Sequence, residues 1–198
     1  MNTFHPFCYP FGYETIKEDL SELKTNKLFA NGNQQSREKE KSNPFLILDK
    51  FKYSKKILTS YANKFLKDVF NYHCKFRITT SWMTQLGFGE EVHYHNHKNS
   101  MWSAVFYFDE YTDRSCPLKF RNPIPDTIPY LIGDSKDNPM TKDCAIPPEK
   151  NLLVIFPSWI AHYSEPNAEQ ERKSLAFNLM PCERYGKSDS TFDAAWMR

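Results

Sequence analysis

Between Ser54 and Phe70 the apolar residues Ile57, Leu58, Tyr61, Ala62, Phe65, Leu66, Val69 and Phe70 recur at the spacing of one helical face, with Ser54 placed to cap the first turn. An apolar stripe of that width needs a sheet to lie against. A second helical pattern, from Glu14 to Leu28, carries Ile16, Leu20 and Leu23 on one side and charges on the rest. Strands are expected at Phe76 to Leu86, Val92 to His97, Met101 to Phe108, Leu118 to Phe120, Leu152 to Phe156 and Lys173 to Leu179. Within Met101 to Phe108, Trp102, Ala104, Phe106 and Phe108 fall on one face, and Ser103, Val105 and Tyr107 on the other. Short strands at this spacing point to a sandwich or barrel. Residues 1–75 therefore read as a helical support region and 76–198 as the β core of a single domain. Two stretches read as loops: Asn31 to Asn43, which has no apolar residue, and the proline-bearing Gly133 to Lys150, long enough to be a lid.

Composition narrows the class. At 198 residues, 40 % hydrophobic and 16 % aromatic, the chain carries too much apolar surface for a disordered protein and enough for one core. Thirteen prolines against six glycines lean the same way as the short strands, towards a β-rich fold. A formal charge of +2 gives no field for nucleic acid or an anionic membrane. The N-terminus has no basic start followed by an apolar run, so no secretory signal is expected and the protein is placed in the cytoplasm. Five widely spaced cysteines without a CxxC fit reduced thiols there.

The candidate chemistry lies in histidines. His93, His95 and His97 fall within five residues, in GEEVHYHNHKNS. On a strand all three point the same way, with neighbours about 6.6 Å apart, so two adjacent ones can lean onto one ion, whereas His93 and His97, about 13 Å apart, cannot both reach it. His95 belongs to either pair. A third ligand is available at His162, where the apolar run Asn151 to Phe156 passes into PSWIAH. Ten residues later, Arg172, Ser174, Ala176 and Asn178 share one strand face, and Leu175, Phe177 and Leu179 the other. A guanidinium with a hydroxyl two residues on is suited to hold a carboxylate, because the fork takes both oxygens.

The segments SWMTQLGFGEEVHYHNHKNSMWSAVFYF, LLVIFPSWIAHYSEPN and RKSLAFN, in that order over about half the chain, resemble the 2-oxoglutarate and Fe(II)-dependent oxygenases of marine phages and bacteria, within the prolyl-hydroxylase-like superfamily. The resemblance implies a mainly β fold, a double-stranded β-helix (jelly roll) with N-terminal helices packed against the major sheet. It implies that His95 and His162 hold iron and that Arg172 with Ser174 holds the distal carboxylate of 2-oxoglutarate. The superfamily's first motif is HxD; here it is His95-Asn96-His97, so either His97 completes a three-histidine face, which is the preferred reading because His97 is on the right face at the right distance, or another carboxylate or a water takes the third position. Three open positions then serve a bidentate keto acid and dioxygen and leave none for halide. The implied reaction is hydroxylation of an unactivated C–H bond, of a peptide or protein (prolyl-type) side chain or a small molecule, releasing succinate and CO2. Asn178 and Tyr107 are expected to add hydrogen bonds to cofactor or substrate. Two other readings compete. Gly89, five residues and then His95-Asn96-His97 also resemble a cupin opening, as in three-histidine thiol dioxygenases, though the later cupin Glu is missing and Arg172 argues for the keto acid. The third is a metal-binding jelly-roll module without catalysis.

Overall fold

The apolar stripe forms helix α1 (Lys52–Phe70), which buries Leu58, Ala62 and Leu66. Its cap differs from the expected one. Ser54 lies inside the first turn, where its N–H and hydroxyl both donate to the Glu22 carboxylate at 2.9 and 2.6 Å. An acid from an earlier segment thus satisfies a donor that has no partner within the helix and faces the positive end of its dipole. At the other end Asn71, at φ 54°, turns the chain out of the helix with its N–H on Lys67 O.

The computed structural model describes residues 9–24, 30–31, 45–123 and 143–194. Its strands are β1 (Gly12–Thr15), β2 (Ala30–Asn31), β3 (Phe76–Gly87), β4 (Trp102–Tyr107), β5 (Leu118–Arg121), β6 (Asp143–Ile146), β7 (Leu152–Pro157), β8 (His162–Tyr163) and β9 (Glu171–Pro181). One sheet runs β1-β7-β4-β9-β3-β2 and the other β6-β5-β8. All pairings between these strands are antiparallel except the short β2 on β3. Helix α1 packs on the outer face of the larger sheet through Trp102, Ala104, Phe106, Leu175, Phe177 and Leu179. Val105, Tyr107, Val154 and Phe156 on the inner face meet Leu118 and Phe120 of the smaller sheet. Strands β4 and β7 are buried at every position, as central strands covered on both faces must be. This two-layer arrangement with helical cover is the expected jelly-roll sandwich.

Four expectations change. The helix over Glu14 to Leu28 does not form: β1 takes its start and a single 3-10 turn follows at Ser21–Leu23, while 25–28 lie outside the described residues. Ile16, Leu20 and Leu23 are still buried, but β7 pairs with Gly12–Thr15, Ile16 N–H continues that edge onto Asn151 O at 2.8 Å, and Leu23 N–H closes the 3-10 turn on Leu20 O at 3.0 Å. Gly12 suits that edge because any Cβ there would meet the Phe65 ring at 2.6 Å. The expected strand Val92 to His97 is reduced to one bridge, His95 to His162. Within Gly133 to Lys150, β6 pairs with β5; residues 133–142 of that stretch, and Asn31 to Asn43 beyond Asn31, lie outside the described residues. The segment before residue 76 supplies strands to the larger sheet as well as helix. Cys74, Cys116, Cys144 and Cys182 are unbridged, and among the described residues no helix is long and apolar enough to cross a membrane.

Candidate metal centre

Strand β8 hangs on β5, with His162 opposite Phe120. The segment 92–97 runs antiparallel beside it although it is not a regular strand. Ser164 N–H donates to Val92 O at 3.0 Å, His95 and His162 exchange both backbone bonds at 3.1 and 2.9 Å, and His97 N–H reaches Ser158 O at 2.9 Å. Direct opposition sets the imidazoles side by side, with ring centroids 4.3 Å apart for His95 and His162, 5.0 Å for His95 and His97, and 5.1 Å for His97 and His162. One ligand atom from each lies within 4.8 Å of the others. His93 is outside this cluster; it is exposed and its Nδ1 lies 3.3 Å from Glu91.

The cluster is suited to a cation in its protonation as well as its geometry. His95 Nδ1 lies 2.7 Å from His93 O and His162 Nδ1 3.1 Å from Ile160 O. A carbonyl only accepts, so Nδ1 carries the proton in each and Nε2 keeps its lone pair for a metal. Burial, then the neighbouring His95, pushes His162 down to about 3 and His97 down to about 4, so both are neutral at pH 7. An unfolded chain protonates them near 6.5. Below that value the unfolded state binds more protons, so stability of the metal-free protein falls as pH falls towards 4 and 3. For His162 the slope reaches at most about 1.4 kcal/mol per pH unit, with a smaller share from the less buried His97. The urea midpoint of metal-free protein is therefore expected to drop from pH 7 to pH 5 more steeply than that of a His97→Gln, His162→Gln double variant. Equal slopes would refute the assignment.

The histidines line one side of a cavity of about 270 Å³ whose other side holds Tyr107, Arg172, Ser174 and Thr84. Register explains the convergence. On β3 and β9, Leu86 faces Arg172, Thr84 faces Ser174 and Trp82 faces Ala176, so alternate β9 side chains point between the sheets. Arg172 is 3 % exposed; its Nη2 donates to the Tyr107 hydroxyl at 2.9 Å, and its Nε has no partner. Among the described residues no carboxylate pairs with it. A buried cation with an unspent donor is costly unless an anion joins it, which fits the expected carboxylate holder. Burial raises the Tyr107 phenol, partly offset by Arg172, so it stays a neutral hydroxyl.

Asn178 is a correction. It shares the Arg172 face, yet it does not line the cavity, because Ser103 and Thr80 engage both ends of its amide at 2.8 and 3.0 Å. Thr84, absent from the sequence reading, does line the cavity, as does Trp82, whose ring centroid is 5.3 Å from that of His97. A lone strand threonine carries no pattern signal; only the pairing with Ser174 reveals it. No Asp, Glu or Cys joins the metal cluster among the described residues. The ligand set thus departs from two histidines and a carboxylate and better matches the three-histidine, cupin-like type.

A family model described as "Putative 2OG-Fe(II) oxygenase" matches residues 80–178. A search of curated proteins finds no match. Among solved structures, an oxidoreductase of the 2OG-Fe(II) oxygenase family from Burkholderia pseudomallei aligns at TM-score 0.51 and 9% identity, over 75% of this chain and 63% of that one. A Pseudomonas putida prolyl-4-hydroxylase aligns at TM-score 0.41 and 17% identity, over 60% and 61%. HygX from Streptomyces hygroscopicus, solved with nickel and 2-oxoglutarate bound, aligns at 0.46 and 10%, over 65% and 66%. The chain thus spans a little over three-fifths of the length of the first two. The Burkholderia alignment supports the shared fold, and the family pattern extends from β3 through both histidine segments to β9, so the chain belongs to the 2OG-Fe(II) oxygenase family.

Proposed function

We propose that the chain is a non-haem iron oxygenase with a three-histidine face, His95, His97 and His162, and that its co-substrate is 2-oxoglutarate held through its far carboxylate by Arg172. The observation that carries this reading is the buried guanidinium in the same cavity as the histidines, with its Nε unpartnered. Iron and the keto acid, when bound, would supply the dioxygen activation needed to hydroxylate an unactivated C–H bond, with release of succinate and CO2. The chain's own residues bind and orient. His95 and His162 offer Nε2 because carbonyls hold their Nδ1 protons. Arg172 neutralises the carboxylate, and Tyr107, accepting from Arg172, keeps its own hydroxyl proton to donate. Ser174 and Thr84 add hydroxyls to the same wall, while Val105, Leu118 and Phe156 keep water away from it.

A second reading, a cupin-like three-histidine dioxygenase acting on a thiol, is favoured by the ligand set itself. An amino-acid thiol also has a carboxylate that Arg172 can pair with, so the two readings separate by titration rather than by inspection. Iron-loaded protein is mixed anaerobically with 2-oxoglutarate or with cysteine. A visible charge-transfer band with the keto acid, and succinate on admission of air, is expected. A response to the thiol alone overturns the keto-acid reading, and no turnover with either would leave a non-catalytic module. A succinate-release screen over peptides, free amino acids and other metabolites, followed by mass analysis for one added oxygen, then tests the proposed peptide or small-molecule substrate.

A further inference from the structure

Of the three clustered histidines, His97 is the least tied down. His95 and His162 exchange two backbone bonds, and each ring is tethered to a carbonyl. No hydrogen bond reaches the His97 ring among the described residues; its neighbours there are the rings of Trp82, His95 and His162. Its backbone N–H is held by Ser158 O at 2.9 Å. Ser158 opens a turn whose three successive carbonyls all serve this region. Ser158 O takes His97 N–H, Trp159 O takes the Asn96 amide at 3.4 Å, and Ile160 O takes His162 Nδ1 at 3.1 Å.

The turn is itself anchored by a buried polar chain. The Ser158 and Ser103 hydroxyls lie 2.8 Å apart, Ser103 donates to Asn178 Oδ1 at 2.8 Å, and Asn178 Nδ2 donates to Thr80 at 3.0 Å. Ser103 has one hydroxyl proton, spent on Asn178, so Ser158 must donate to Ser103 and the direction of the whole chain is set. Ser158 is 0 % and Ser103 2 % exposed, so loss of one member leaves its neighbours unpaired without water to replace it.

We propose that Ser158, Ser103 and Asn178 are positioning residues that hold His97 at the metal centre through the Ser158–Ile160 turn. This rests on the reading of His97 as a ligand. The carbonyl that fixes His97 belongs to the residue whose hydroxyl begins the chain, so slack in the chain becomes slack at His97. The His97 ring has no hydrogen-bonded tether of its own among the described residues, so its backbone anchor is what fixes it.

Co(II) titration of the full chain, read by dissociation constant and visible spectrum, tests this. Ser103→Ala is expected to weaken Co(II) by about tenfold or more, the usual cost of losing support to a ligand, and to alter the Co(II) bands. Ser158→Ala, which leaves Ser103 paired with Asn178, serves as a second variant with the same expected direction. In a His97→Ala background each change should weaken Co(II) by less than in the wild type, because only the Ile160 carbonyl on His162 is then left for the turn to disturb. Asn63, whose amide bridges α1 to Phe76 by two bonds, is the control: Asn63→Ala should lower the Tm and leave Co(II) affinity unchanged. Unchanged affinity in both serine variants, an equal loss with and without His97, or an equal loss in Asn63→Ala would overturn the inference. If His97→Ala itself leaves Co(II) binding intact, the ligand reading fails instead.

Discussion

His162→Ala is expected to lower affinity for Fe(II) or Co(II) by more than about 100-fold, exceeding the loss from disturbing a supporting residue. His162 is the most buried of the three rings, faces His95 at 4.3 Å between centroids and has its proton fixed on Nδ1, so no other described side chain can take its place. The apoprotein should fold, because removing a buried imidazole that resists protonation also removes an acid-labile group. Metal binding by equilibrium dialysis, with circular dichroism to verify folding, checks this. Retained affinity in a folded variant would show that the cluster is not the metal site. His97→Asp is the informative companion, since it creates the two-histidine, one-carboxylate set: metal should still bind, and the Co(II) spectrum should shift as one neutral nitrogen gives way to an anionic oxygen.

The second large effect is expected at Arg172. Arg172→Met keeps an apolar stem and removes the fork, and should weaken 2-oxoglutarate by about 100-fold or more, in line with the about 3–5 kcal/mol lost when a buried ion pair is broken. Stability should move the other way. In the ligand-free protein the guanidinium is 3 % exposed, its Nε is unpartnered and no described carboxylate offsets it, so methionine should leave the Tm equal or higher. Calorimetry with and without 2-oxoglutarate and metal separates the outcomes. The wild type should gain stability on ligand addition as linkage requires, and the variant should not. A large drop in the apoprotein Tm together with unchanged ligand affinity would make Arg172 a structural residue.

How much was legible follows from how each feature is encoded. Helix α1 and strands β3, β4, β5, β7 and β9 lie where local periodicity places them, because one buried face repeats every three to four residues or every two. The pattern over Glu14 to Leu28 misled for the same reason: Ile16, Leu20 and Leu23 do face the core, but burial alone does not distinguish a helix from an edge strand plus a turn. Strand β8 is two residues long, below the length at which any period can be read.

At the centre, the amino-acid sequence alone determined that imidazoles would alternate at 93, 95 and 97, that a distant histidine would follow an apolar strand, and that Arg172 and Ser174 would share a face. Each is a property of neighbours along the chain. Tertiary structure decided which histidines meet. The bridge between His95 and His162 and the bond from His97 to Ser158 O draw in 97 and leave 93 outside, a choice of register that alternation leaves open. It also turned Asn178 from the cavity towards Ser103 and Thr80, and brought Thr84 into the cavity across from Ser174. Those outcomes depend on backbone partners and buried donors supplied from dozens of residues away, which become specified only when the two sheets close.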